Sequence, residues 1–173
     1  IERDLELMQS AKARSDVIID TTKLSPHQLR NEVTRWFAPE TDDKMAISVQ
    51  SFSYKRGWPR NVDMMFDCRF LRNPHWDVAL RARNGRDADV QAYVHADARF
   101  APFHDQVMGL VDLVIPAHLE EGRSHLTIAF GCTGGQHRSV TMAETVQKQL
   151  LDKGWHVTIR HRELDNQAQQ VKG

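Results

Sequence analysis

The sequence predicts an α/β fold, a sheet with flanking helices. Short apolar or alternating runs of strand character are interleaved with stretches of helical period. Residues 126–160 read as one complete strand–helix–strand unit. The chain has 173 residues, 40% of them hydrophobic, enough to bury a real core and to exclude wholesale disorder.

Taken in order, residues 2–14 have helical character, with Leu5 and Met8 on one face. Val17-Ile18-Ile19 reads as a short buried strand. A helix then starts at Ser25, a good N-cap, with Pro26 at its first position and Gln28 completing a capping box; it runs to about Phe37. The polar stretch 38–44 reads as a linker. Residues 45–53 alternate and predict a strand, and 64–70 predict a second. Residues 90–98 read as helical, and Val107, Leu110, Val111, Val114, Ile115, His118 and Leu119 have helical spacing, with a kink or an end expected at Pro116. Residues 126–131 predict a strand and 139–153 an amphipathic helix, closed by Gly154 as the residue after its C-cap. A last strand is expected over 156–160. From Glu163 onward a frayed polar tail is expected.

Composition narrows the function. Lys+Arg and Asp+Glu are 23 each, so net charge disfavours a strongly basic nucleic-acid binder, though it leaves room for a local basic face. Two cysteines, Cys68 and Cys132, make no disulfide framework and have no zinc-ligand spacing. No apolar run reaches the length of a membrane span, and no leader is visible, so a reducing cytoplasm is the expected compartment.

The chemistry concentrates in Gly131-Cys-Thr-Gly-Gly-Gln-His-Arg-Ser139, between an apolar strand and an amphipathic helix. That is the carboxyl end of a strand, where α/β sheets bind ligands. Gly134 and Gly135 permit backbone turns that aim successive N–H groups at one anion. The helix start adds its positive end, Arg138 can grip two oxygens, and Thr133 and Ser139 supply hydroxyls. A phosphate or similar oxyanion is the expected ligand. The spacing from Cys132 to Arg138 and Ser139 also fits C-x5-R-S, which resembles the loop of cysteine-dependent phosphatases. On that alternative Cys132 is a nucleophile beside Arg138, with Asp63, Asp67 or Asp77 as acid. Gly131 stands where those enzymes usually carry His.

A second cluster runs from Asp63 to Trp76. The two-residue period puts Asp67 and Arg69 on one face of the strand, with Asn73 and His75 in the following turn. Asp67 suits a sugar hydroxyl or an amine, while Arg69 or His75 reaches a phosphate; Trp76 is expected to pack. Arg160-His161-Arg162 forms a compact basic patch suited to RNA phosphates.

Ser51–Gly57, Phe66–Trp76, Asn84–Asp87, Leu126–Val140 and Arg160–Arg162 together resemble the RapZ/YvcJ family of bacterial nucleotide-binding and RNase adapter proteins. The likeness spans most of residues 45–162. Residues 1–37 resemble the end of that family's N-terminal P-loop domain, without its G-x-x-x-x-G-K-[ST] motif. The resemblance implies a phosphofructokinase-like C-terminal domain over 45–162, a linker at 38–44 and a flexible tail at 163–173. It implies no cofactor in this chain, an ATP or GTP site being expected only in the missing N-terminal part. It further implies self-association into a dimer or tetramer. It also implies binding of a small regulatory RNA for endoribonuclease E, and sensing of glucosamine-6-phosphate to tie RNA decay to amino-sugar synthesis. The sugar-phosphate site would fall on Asp67, His75, Cys132, Thr133, Gly134, Gly135, His137 and Arg138. Enterobacterial members end in a Lys/Arg-rich tail, whereas Lys172 is the only cation after Glu163 here.

Overall fold

In the computed structural model the described residues are 19–22, 24–26, 29, 33 and 45–170. The chain divides into two compact units, 1–42 and 43–173. In the first, Pro26, Leu29 and Val33 are helical, and Leu29 N–H donates to the Ser25 carbonyl at 2.9 Å, as the Ser25 start signal predicts. The expected elements at 2–14 and 17–18 and the linker at 38–44 lie outside the described residues.

The second unit is built on four parallel strands: β1 (Ala46–Ser53), β2 (Met64–Asp67), β3 (His125–Cys132) and β4 (His156–His161), in the order β2-β3-β1-β4. The helices are α1 (Ala88–His95), α2 (Phe100–Glu120), α3 (Arg138–Asp152) and α4 (Arg162–Gln170). β1 and β3 lie inside the sheet, and their sequences show it. Every residue of β3 after His125 is buried, the continuous apolar signature of a parallel strand covered on both faces. β4 is an edge and alternates between exposed and half-buried until His161. Ile47, Val49, Leu126, Ile128 and Phe130 meet Val146 and Leu150 of α3 in one core. The stripe Val140, Ala143, Val146 and Leu150 that predicted α3 is the face it buries.

Two breakers behave differently. Gly154 (φ +83°) ends α3: its N–H donates to Leu151 and that of Trp155 to Leu150, a Schellman closure. Pro116 neither ends nor splits α2, which is continuous from Phe100 to Glu120. Pro116 and Asp112, whose carbonyl loses its helical donor, are both exposed, where the loss of one internal bond is least costly.

Three boundaries depart from expectation. β2 stops at Asp67 rather than running to Phe70, because the Asp67 carboxylate takes the Arg69 N–H (2.8 Å) and turns the chain. The helix expected over 90–98 runs instead from Ala88 to His95. The frayed tail expected from Glu163 is instead α4, and Glu163 is 1% exposed. Burial of that carboxylate follows from its partners: Arg162 at 2.9 Å, Arg56 at 3.2 Å and the Ser53 N–H at 3.3 Å.

Candidate functional site

The register brings the carboxyl ends of all four strands together. Ser53 lies opposite Cys132, Asp67 opposite Gly131, and His161 opposite Ser51. From neighbouring β1 and β3 the chain leaves in opposite lateral directions, toward β2 and toward β4. A crevice outside such a pair is where open α/β sheets place ligands.

The loop Thr133–His137 leads from the carboxyl end of β3 into α3. Gly135 (φ +68°) makes the left-handed turn, and a Cβ there would lie 2.4 Å from Glu163 Cγ and 2.8 Å from the Ser53 nitrogen. Gly134 needs no such conformation and has open space around it. The Gly135 N–H donates to Cys132 Sγ at 3.2 Å, and Ser139 Oγ lies 3.1 Å from the same sulfur. Ser53 Oγ donates to the Thr133 carbonyl at 2.8 Å. Cys132 is 2% exposed, so its sulfur shapes the loop from within. Thr133 and Gly134 face solvent, and the first N–H groups of α3 have no acceptor inside the helix.

Arg138 corrects the sequence reading in which both its prongs grip a ligand. It is 5% exposed, and Nη1 donates to the carbonyls of Arg69 and Leu71, the latter at 3.2 Å. It is a brace between α3 and the turn after β2. Nη2 makes a long 3.4 Å contact with Thr133 Oγ1. Arg138 Nε and His137 Nε2 are buried without a hydrogen-bond partner among the described residues. Ser139 is fully buried and serves the sulfur, not the solvent.

Asp67 and Arg69 do meet, though through the turn rather than along a strand face. Arg69 Nε and Nη2 donate to the Asp67 carboxylate at 2.6–3.0 Å, and the guanidinium stacks 4.2 Å over the Tyr54 ring. The Arg69 hydrogen bonds hold the Asp67 carboxyl below its ordinary range, so this group is an ionised acceptor rather than an acid. Asp63 sits at the other end of β2, taking the Thr127 N–H and pairing with Arg123, and Asp77 caps Ala79. Cys68 is fully buried, and desolvation pushes its thiol well up.

His75 lies on an exposed turn, Pro74–Trp76, tied by its N–H to Asn73 (3.3 Å). Burial lowers the pKa of His137. Trp76 does not pack as expected: it is 76% exposed, against the edge of His75.

The basic triplet separates because β4 alternates over Arg160 and His161 and ends before Arg162, the first residue of α4. Arg160 points out at the sheet edge, 3.7 Å from Asp165. His161 is fully buried, between Ser51 Oγ (2.8 Å from Nδ1) and Glu144 Oε1 (2.9 Å from Nε2). Arg162 folds back to the carbonyls of Ser53 and Gly57. The order Ser–His–carboxylate invites a hydrolase reading, but Ser51 is 0% exposed on a central strand, so the three tie β1, β4 and α3 together.

Sequence reasoning missed Tyr54, Glu163 and the role of Gly85. The Asn84–Asp87 turn docks on the head of α3: Gly85 N–H donates to Gln136 O (2.8 Å), and a Cβ on Gly85 would sit 2.4 Å from His137 O. The Asn-Gly pair was the visible signal.

Burial lowers the pKa of both His137 and His161. A base whose folded pKa is depressed binds fewer protons folded than unfolded, so stability is complete above the ordinary value near 6.5 and falls as pH drops below it. Each of the two should remove up to about 1.4 kcal/mol per pH unit in that window. Urea melts at pH 7.5 and 5.5 should show this loss, and His161→Gln should flatten it.

Among the described residues no cluster fits a metal ion and no helix is long and apolar enough to cross a membrane. A family model described as the RapZ C-terminal domain matches residues 45–165. A nucleotide-binding protein of Ruegeria sp. (strain TM1040) is 60% identical over 167 residues, covering 96% of this chain and 55% of that protein. A nucleotide-binding protein of Cereibacter sphaeroides (strain ATCC 17025) is 55% identical over 171 residues, 99% of this chain and 57% of the other. One of Dinoroseobacter shibae is 55% identical over 168 residues, 97% and 56%. The chain thus spans just over half the length of these relatives. Its parallel sheet with flanking helices and its match over residues 45–165 agree: the chain belongs to the RapZ C-terminal domain family.

Proposed function

We propose that this chain is a phosphosugar-sensing regulatory domain, with a glucosamine-6-phosphate-like ligand seated in the crevice at the carboxyl ends of β1, β2 and β3. One observation carries the reading: the Thr133–His137 loop presents an exposed hydroxyl, an open Gly134 and the head of α3 beside an ionised Asp67. The phosphate rests on the backbone N–H groups of the loop and helix head, on Thr133 Oγ1 and on Arg138 Nη2. Asp67 takes a hydroxyl or the amine. His75, itself exposed, is the further side chain offered to the ligand. Arg69 is not part of the phosphate set, since its guanidinium is taken by Asp67.

Thr133→Val should weaken glucosamine-6-phosphate in calorimetry by roughly fivefold, the scale of one hydrogen bond, with stability unchanged. Unaltered affinity would remove Thr133 from the site. The nucleotide-binding role belongs, by name, to the longer relatives, and no Walker A motif occurs here.

The RNA-adapter role, with a small regulatory RNA and endoribonuclease E as partners, is supported by family membership. So is self-association. The dispersal of Arg160, His161 and Arg162 leaves RNA contact to Arg160 and to other exposed arginines of the same end, such as Arg56 and Arg86. RNA retardation should then fall steeply with added salt and weaken in Arg160→Ala.

A further inference from the structure

The two cysteines are distant in sequence and neighbours in the sheet. β2 and β3 pair in parallel, with Phe66 opposite Phe130 and Asp67 opposite Gly131. The Cys68 N–H donates to the Gly131 carbonyl at 2.7 Å, which extends the pairing past Asp67 and sets Cys68 abreast of Cys132. Side chains alternate across a sheet, and the register pair two residues earlier, Phe66 and Phe130, stacks ring on ring at 5.6 Å. Cys68 and Cys132 therefore project from the same face as those rings, and both belong to the same core. Both are free thiols. Burial first, and then the neighbouring Cys132, push the Cys68 thiol well up, as two sulfurs sharing one dry site should. Abreast residues of adjacent strands lie ~4.8 Å apart, inside the ~4.4–6.8 Å Cα span that a disulfide bridges.

We infer that Cys68 and Cys132 form an oxidation site, which hydrogen peroxide converts to an intrachain disulfide that ties β2 to β3 and releases the Thr133–His137 loop. Cys132 reacts first, because it adjoins the exposed Thr133 and Gly134, whereas Cys68 is 0% exposed. Its sulfur attacks one peroxide oxygen, the O–O bond breaks, and a sulfenic acid and one water result. The Cys68 sulfur then attacks the Cys132 sulfur, and the S–O bond breaks. The hydroxyl leaves with the Cys68 proton as a second water. Two thiols lose two electrons, and the peroxide gains them. Closing the bond draws the two Cβ atoms to ~3.8 Å, nearer than the strand spacing holds them, so Cys132 Sγ turns toward β2. The Gly135 N–H and the buried Ser139 Oγ, now 3.2 Å and 3.1 Å from that sulfur, lose the atom they share. Both ends of the loop are loosened together. The effect on a bound phosphosugar rests on the function proposed above; the disulfide does not.

The test treats the whole chain with hydrogen peroxide, then labels free thiols with a maleimide after unfolding and reads the intact mass and a peptide map. The expected result is a loss of two hydrogens in mass, no labelled thiol and a peptide joining Cys68 to Cys132, all reversed by dithiothreitol. Cys68→Val, which keeps the position apolar, should form no bridge. Calorimetry with glucosamine-6-phosphate reads the consequence. Oxidised wild type should bind roughly fivefold more weakly than reduced, the scale of one hydrogen bond lost at the loop, and dithiothreitol should restore it. Reduced Cys68→Val should bind as reduced wild type does. Two thiols still labelled after peroxide, a gain of oxygen in place of the loss of hydrogen, or a bridge between two chains would overturn the inference. A bridge that leaves the affinity unchanged would overturn the release of the loop. Failure of the reduced chain to bind glucosamine-6-phosphate would instead sink the phosphosugar reading, and the mass and peptide map would still decide the bridge.

Discussion

Arg138→Ala is expected to cost about 3 kcal/mol of stability and to abolish phosphosugar binding together. The stability loss follows from the brace: two backbone carbonyls, of Arg69 and Leu71, lose a charge-assisted donor beside the buried Leu71. For a chain of this length that corresponds to a fall in Tm of roughly 10 °C. Binding fails twice over, because Nη2 is removed from the phosphate and the turn carrying Asp67 is released. Arg138→Lys separates the two effects. A lysine keeps the charge but cannot reach two carbonyls and a ligand with one ammonium, so it should recover part of the binding and little of the stability. Thermal melts and calorimetry on the two variants check this. An unchanged Tm in Arg138→Ala would show that the brace contributes nothing.

Gly135→Ala should be comparably severe, about 3 kcal/mol, with no ligand-facing atom altered. Part is backbone strain at φ +68°. The rest is overpacking, since the new methyl would meet Glu163 Cγ at 2.4 Å, the Ser53 nitrogen at 2.8 Å and the Phe52 carbonyl carbon at 3.0 Å. Two of these are backbone atoms of β1 and cannot give way cheaply. The remaining escape is to push out Glu163, which would break its contacts to Arg162 and Arg56 and loosen α4. Gly134→Ala, one residue earlier but with open space and no positive φ, should be nearly neutral. Urea unfolding of the pair measures the contrast; equal destabilisation would contradict it.

The contrast between these glycines also shows where the sequence speaks and where it does not. The Gly134-Gly135 pair is legible as a loop between a strand and a helix, but only the structure says which glycine turns the chain. β3 and α3 are legible because burial on both strand faces and on one helix stripe writes continuous and 3.6-period patterns. β2 is misread at its end because Asp67 spends its carboxylate on the backbone two residues on, a local competition that strand propensity does not record. The tail is misread for the opposite reason. α4 is polar in composition, and it folds because one buried carboxylate, Glu163, gathers partners from β1 and the following turn that lie more than a hundred residues away in the chain. Asp67 and Arg69 are found as a pair from the wrong geometry. Arg160, His161 and Arg162 look compact in sequence and are dispersed by strand alternation at the first two and by the start of α4 at the third.

The central claim is that the Thr133–Arg138 loop holds a sugar phosphate without breaking it. A phosphorus NMR titration of glucosamine-6-phosphate with the wild-type chain tests it most directly. The expected result is a broadened or shifted sugar-phosphate line, lost in Arg138→Ala, with no inorganic phosphate appearing over time. An unperturbed line at millimolar ligand would contradict the site, and growth of an inorganic phosphate line that disappears in Cys132→Ser would make the loop a phosphatase.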